Sequence, residues 1–230
     1  MVSEQIKTVK ENIEAACRRA GRNPSDVTLI AVSKTKPNDM IMEAYGAGIR
    51  TFGENYVQEL VEKTETLPDD IKWHMIGHLQ RNKVKYVVGR AVMIHSVDSV
   101  RLAEEISKEA QKKNITVDIL AEVNAAEEEN KFGVSVESCE SFLTEISKFP
   151  GLNIRGLMTS APYVENAEEN RKYFRILKQL CVDINAKNID NINMDVLSMG
   201  MTNDYTVAVE EGATMVRVGT AIFGERNYNK

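Results

Sequence analysis

Val27-Thr28-Leu29-Ile30-Ala31-Val32-Ser33-Lys34-Thr35-Lys36-Pro37 decides how the rest of the chain is read. Its first seven residues are a short, mostly apolar run rich in β-branched side chains. That composition suits a strand buried on both faces, as in a parallel sheet. Pro37, just after it, suits the opening turn of a helix. The unit is therefore strand, short turn, helix. Working outward, seven further runs have the same character, at 50–53, 73–77, 92–97, 117–124, 154–160, 194–199 and 215–219. Amphipathic stretches lie between them. Leu102, Ala103, Ile106 and Ala110 share one helical face, as do Phe142, Leu143 and Ile146 after the polar start Ser135. Tyr173, Phe174, Leu177, Leu180, Cys181 and Ile184 form another stripe, ending before Asn188. An additional helix over roughly 4–20 precedes the first strand and stops at Gly21, a C′ glycine.

Strands that alternate with helices pair in parallel, because parallel neighbours need crossover connections. Eight such units predict an α/β fold: one (β/α)8 barrel of the TIM type, with an extra N-terminal helix, spanning 1–230 as a single domain. The competing fold is an open doubly wound sheet, which announces itself by a glycine-rich nucleotide loop. Here the first strand is followed by Ser33-Lys34-Thr35-Lys36-Pro37, and Gly46-Ala47-Gly48 lacks a third glycine. Gly219 and Gly224 have the spacing of a P-loop, but Glu225-Arg226 stands where that loop needs Lys-Ser/Thr.

The chain has 230 residues, with Lys+Arg 29, Asp+Glu 34 and a net charge of -5. This balance, and the absence of a basic stripe, argues against a nucleic-acid partner. Mean hydropathy is -0.31, and no apolar run approaches the roughly 20 residues of a membrane span. The start, Met1-Val2-Ser3-Glu4-Gln5, has neither the basic nor the apolar region of a secretory signal. A cytoplasmic protein is expected. Cys17, Cys139 and Cys181 are widely spaced and odd in number, which argues against a disulfide framework or a zinc site; Cys17 and Cys181 fall within helical patterns and read as small buried hydrophobes.

Barrel chemistry sits on the loops after the C-terminal strand ends. The first strand delivers Lys34 there. A partly desolvated lysine beside the like charge of Lys36 favours the neutral, nucleophilic amine; a solvated strand-end lysine is the plainer alternative. The seventh strand leads into Ser198-Met199-Gly200-Met201-Thr202 and a predicted helix over 202–210. The eighth supplies Val218-Gly219-Thr220. Glycines and hydroxyls at two adjacent loops suit a phosphate, though Thr202 or Asn203 as a simple helix cap is the alternative. Arg217 alternates with Val216 and Val218, so its guanidinium points inward, to a ligand or to a carboxylate such as Glu54. His74 and His78 are roughly 13 Å apart along a strand, too far for one metal. They read as hydrogen-bonding groups. Asn55, with Gln58 three residues on, reads as a capping box that can also face the ligand.

These residues are recognisable together. Ala31-Val32-Ser33-Lys34-Thr35-Lys36-Pro37 resembles the lysine motif of the pyridoxal-phosphate (PLP) homeostasis protein family, itself similar to the N-terminal barrel of alanine racemase. Phe52-Gly53-Glu54-Asn55-Tyr56-Val57-Gln58-Glu59 matches as well. So do the segments 73–83, 124–133 (with Glu128 and Lys131), 198–202 and 216–224. The resemblance implies PLP held as a Schiff base on Lys34. It implies Ser198, Gly200, Gly219 and Thr220 at the phosphate, Arg217 at the pyridine nitrogen, and Asn55 and Met158 lining the cofactor. Thr202 stands where many relatives have serine and keeps the hydroxyl. The implied role is a PLP carrier or regulator in vitamin B6 homeostasis, with PLP-dependent apoenzymes as recipients and a monomer or weak dimer as its state. Amino-acid turnover is not expected, because alanine racemase brings a second acid/base from a further domain and this sequence ends at Lys230. A PLP-dependent racemase or lyase is the alternative, and a phosphate-sugar enzyme without PLP a third. Lys36 and Lys131 stay open as second sites for PLP in transit.

Overall fold

Each short β-branched run is too narrow to bury itself, so it pairs with the next, and the eighth returns to the first. The computed structural model describes residues 1–225. It forms a closed parallel barrel in chain order: β1 (Thr28–Val32), β2 (Thr51–Glu54), β3 (Lys72–Met75), β4 (Met93–Val97), β5 (Val117–Glu122), β6 (Leu152–Met158), β7 (Ile192–Met201) and β8 (Met215–Val218). Closure is made by β1 on β8, with Ile30 opposite Arg217 and Ala31 opposite Val218. Helices precede, separate and follow the strands: α1 (Val2–Arg19), α2 (Asn38–Gly46), α3 (Val57–Thr66), α4 (Val84–Val87), α5 (Val100–Lys112), α6 (Val136–Ile146), α7 (Arg171–Ala186), α8 (Tyr205–Glu210) and α9 (Thr220–Phe223). The last two have only 6 and 4 residues, too few to cover that side of the barrel. The extra helix α1 packs against α2, α8 and α9 and buries Ile6, Val9, Ile13, Ala16 and Cys17.

The barrel interior is divided into two layers by the two-residue strand period. Met93, Leu120, Met158 and Val196, with Met215 against them, form a separate apolar cluster. On four strands the residue two positions further on, facing the same side, is polar: His95, Glu122, Ser198 and Arg217. The polar layer therefore lies toward the C-terminal strand ends. The burial predicted for Cys17 and Cys181 is observed, and Cys139 is buried as well. Gly21 has φ 64° past the end of α1, as a C′ glycine should.

Two local expectations are corrected. The helix predicted over 202–210 begins only at Tyr205, with Asp204 before it. Asp204 turns back to accept from the Met201 N–H at 2.7 Å and from Asn170 at 2.7 Å, so neither Thr202 nor Asn203 is its cap. Asn55 does not cap α3 either; the N-cap is Tyr56, with no side-chain bond. Arg226 and the rest of 226–230 lie outside the described residues.

Gly156 lets β6 lie close against β7. Its φ is 153°, and a Cβ would stand 1.8 Å from the Val196 carbonyl oxygen. Gly156→Ala must push β7 away and is expected to cost about 3 kcal/mol. Urea unfolding measures it, and an unchanged midpoint would contradict so tight a crossing.

Candidate functional site

Arg217 on β8 is 4% exposed inside the barrel. A guanidinium there needs acceptors, because an unpaired buried charge costs several kcal/mol. Its Nη1 donates to Ser198 Oγ at 2.7 Å and its Nη2 to the Thr159 carbonyl at 2.8 Å. Burial pulls its pKa down to about 10, which leaves it cationic at neutral pH. The Ser198 hydroxyl also meets His95 Nδ1 at 2.9 Å, and His95 Nε2 meets His74 Nδ1 at 2.8 Å. Burial holds His74 down to about 4 and His95 well below the usual histidine value. Both imidazoles are thus neutral, and one proton lies between them. Four strands, β3, β4, β7 and β8, are joined by this chain of hydrogen bonds.

Glu122 on β5 completes the layer. Burial pushes its carboxyl up to about 7, the neighbouring Asp98 adds to the rise, and Arg217 opposes it. The ion pair suggested between Arg217 and Glu54 does not form. Glu54 pairs instead with Lys63 of α3 at 2.9 Å.

The sequence-selected residues fall on consecutive strands, β6-β7-β8-β1-β2. Lys34 is half-buried just beyond β1. Lys36 donates to the carbonyls of Phe223, Gly224 and Glu225 at 2.9–3.0 Å. Asn55, beyond β2, has its Oδ1 buried with no hydrogen-bond partner among the described residues. Its backbone is so close to Gly77 that a Cβ there would lie 2.5 Å from the Asn55 carbonyl. Met158 is buried in the apolar layer. Ser198 lies within β7, fully buried, with its hydroxyl committed to Arg217 and His95. Gly200 has φ 90° and lets α8 close in, since a Cβ would sit 2.5 Å from Ala208 Cβ. Beyond β8, Thr220 is exposed. The N–H groups of Gly219 and Ala221 point to Thr202 Oγ1 at 3.3 and 3.4 Å, so the loops after β7 and β8 meet.

Beyond the C-terminal ends of β3, β4 and β5, at the same mouth, His78 stacks on Phe132, with ring centroids 3.7 Å apart, and approaches Asp98 at 3.4 Å. His74 and His78 thus face different surroundings. Lys131 pairs with Glu128 and reaches toward the Ser160 carbonyl. Sequence reasoning missed His95, Glu122 and Thr159. The period-two alternation Met93/His95 and Leu120/Glu122 carried the signal for the first two.

A family model described as alanine racemase, N-terminal domain, matches residues 5–227. A pyridoxal phosphate homeostasis protein of Aquifex aeolicus is 47% identical over 226 residues, covering 98% of either chain. The chain belongs to the pyridoxal phosphate homeostasis protein family. The family member of Escherichia coli K12 is 36% identical over 233 residues, covering 100% of this chain and 98% of its own. The structure of PipY from Synechococcus elongatus with PLP bound matches with a TM-score of 0.84 at 35% identity, covering 97% of this chain and 100% of that one. Alanine racemase from Corynebacterium glutamicum shares the fold, with a TM-score of 0.71 at 12% identity. The match covers 96% of this chain and 62% of the racemase. Among the described residues no helix is long and apolar enough to cross a membrane.

The raised Glu122 carboxyl has a consequence for stability in this family member. Folding lifts its pKa from 4.5 to about 7, so the folded state keeps a proton that the unfolded chain releases. Stability is lost as pH rises through that window and does not return above it. Glu122→Gln removes the loss. Relative to wild type it should gain up to about 3 kcal/mol between about pH 4.5 and about pH 8. Urea unfolding at both values tests this; a pH-independent difference would contradict it.

Proposed function

We propose that this protein binds PLP at the C-terminal mouth of the barrel and acts in PLP homeostasis as a carrier or regulator, with PLP-dependent apoenzymes as recipients. The single observation that carries the reading is the convergence on adjacent strands of a lysine, a buried guanidinium and two loops with backbone N–H groups. The fit is supported from inside the structure by Asn55 Oδ1, a buried acceptor with no partner among the described residues, and by the Gly219 and Ala221 N–H groups gathered at one oxygen.

When bound, PLP supplies an aldehyde that condenses reversibly with an amine, and an electron-withdrawing ring. Lys34 offers the amine. Gly200, Gly219 and Thr220 hold the phosphate, with Thr202 between the two loops. Arg217 donates to the pyridine nitrogen, while Ser198 fixes the guanidinium through an accepted hydrogen bond rather than meeting the phosphate directly. Asn55 and Met158 shape the remaining wall. The whole of 1–230 acts as one domain, as a monomer or weak dimer in the cytoplasm.

An arginine at the ring nitrogen is always cationic and disfavours a protonated ring, which weakens the sink that α-carbon chemistry needs. No amino-acid turnover follows from this reading. Glu122 is the observation on the other side: a carboxyl near 7 inside the barrel is able to hold and release a proton.

Borohydride treatment of the PLP-loaded protein, followed by peptide mapping, should place the pyridoxyl group on Lys34. Label mainly on Lys36 or Lys131 would sink the assignment. Incubation of the same protein with L- and D-alanine in deuterated water should give no exchange approaching about 1 s⁻¹, the low end for ordinary enzymes. Faster exchange would establish the racemase or lyase reading, and Glu122→Gln would show whether that carboxyl is responsible.

A further inference from the structure

The turn that carries Lys34 is strained. It is closed by the Lys36 N–H donating to the Ser33 carbonyl at 3.0 Å, which places Lys34 and Thr35 at its two central positions. Thr35 has φ 61°, the left-handed region that a β-branched residue adopts at a cost of about 1–3 kcal/mol. Such a residue persists only where its surroundings hold it.

What holds it lies on α3. The Thr35 N–H donates to Glu59 Oε2 at 2.8 Å. The same oxygen accepts from Lys63 Nζ at 2.8 Å. Lys63 also donates to Glu54 Oε1 and to the Ser33 carbonyl, each at 2.9 Å. Three acceptors saturate its three N–H bonds. The Ser33 hydroxyl donates to Glu54 Oε1 at 2.6 Å. Side chains of Lys63 and Glu54 are 6% and 0% exposed. The residues on both sides of Lys34 are therefore tied, directly or through one carboxylate, to a single buried ammonium. Two carboxylates share that ammonium. Burial, the largest influence, and Glu59 raise the Glu54 carboxyl, while Lys63 and Ser33 lower it, leaving it at about 7.

We infer that Glu59 and Lys63 are positioning residues for Lys34. They hold its turn in the strained conformation that aims the lysine amine at the PLP aldehyde, with Glu54 and Ser33 as their anchors. This rests on the PLP reading above. The physical reason is that a lysine side chain has four rotors, and fixing the backbone at its root is the economical way to narrow where its amine can go. A misplacement of about 1 Å costs on the order of a hundredfold in rate.

The test measures the rate at which PLP forms its imine absorbance band, and where borohydride then fixes the label. Glu59→Ala should slow band formation roughly tenfold or more and spread the label from Lys34 onto other lysines, with the far-ultraviolet circular dichroism unchanged. Glu59→Gln keeps an acceptor for the Thr35 N–H and should give an intermediate rate with the label still on Lys34. Adding Thr35→Gly to Glu59→Ala removes the strain the tether opposes, and should recover much of the rate. If Glu59→Ala proves unstable, the Glu59→Gln rate and label position decide in its place. A wild-type rate with label confined to Lys34 in a folded Glu59→Ala protein overturns the inference. So does a slow Glu59→Ala protein that Thr35→Gly fails to rescue. Absence of any imine band or Lys34 label in wild type overturns the PLP reading itself, a result distinct from either.

Discussion

A guanidinium inside a closed barrel can neither give up its charge at neutral pH nor go without acceptors. Arg217 is that constraint, and much of the interior is arranged around it. Ser198 is buried because its oxygen is one acceptor, and the β6 end is fixed because the Thr159 carbonyl is the other. His95 and His74 extend the chain of bonds across to β4 and β3. Their neutrality is part of the same arrangement, since a second buried cation beside Arg217 would be unfavourable; the guanidinium itself contributes to holding His95 down. Glu122 sits between opposing influences, raised by burial and by Asp98 and lowered by Arg217.

A second cation does similar work outside the strands. Lys63 is buried between β2 and α3, where it draws Glu54, Glu59 and the Ser33 carbonyl together. Arg217 orders the floor of the mouth and Lys63 orders its edge at β1. Neither is a surface ion pair of the kind worth little. Both are desolvated and hydrogen-bonded, Lys63 through all three of its N–H bonds and Arg217 through two of its five, so loss of one partner leaves a buried charge exposed to no solvent.

The apolar plug beneath the polar floor explains how a small barrel tolerates so many polar groups. Met93, Leu120 and Val196 stand two residues before His95, Glu122 and Ser198 on their strands, and Met158 at the end of β6 joins their apolar cluster, so the polar residues gather at the end where barrel ligands bind. Glycine supplies the close approaches that side chains would block. Gly156 brings β6 against β7, and Gly200 brings α8 against the β7 end. The strap of α1 then covers the side that the short α8 and α9 leave open.

All eight strands, the parallel order and the N-terminal helix are legible in the sequence, because apolar periodicity is a local property of each segment and the strand–helix alternation leaves few ways to pair them. The lysine, glycine and threonine positions at the strand ends are legible for the same reason: they follow directly from where each run stops. The partners are not. Ser198 reads as a loop hydroxyl until β7 is seen to run through Met201 and the barrel closes with Arg217 alongside it. Asn55 reads as a cap until α3 starts two residues later. Glu54 stands only nine residues before its true partner Lys63, yet only the packing of α3 on β2 turns it away from Arg217. Hydrogen bonds between side chains on different strands depend on barrel shear and on which face each residue takes, and those are decided by closure of the whole sheet rather than by any one segment.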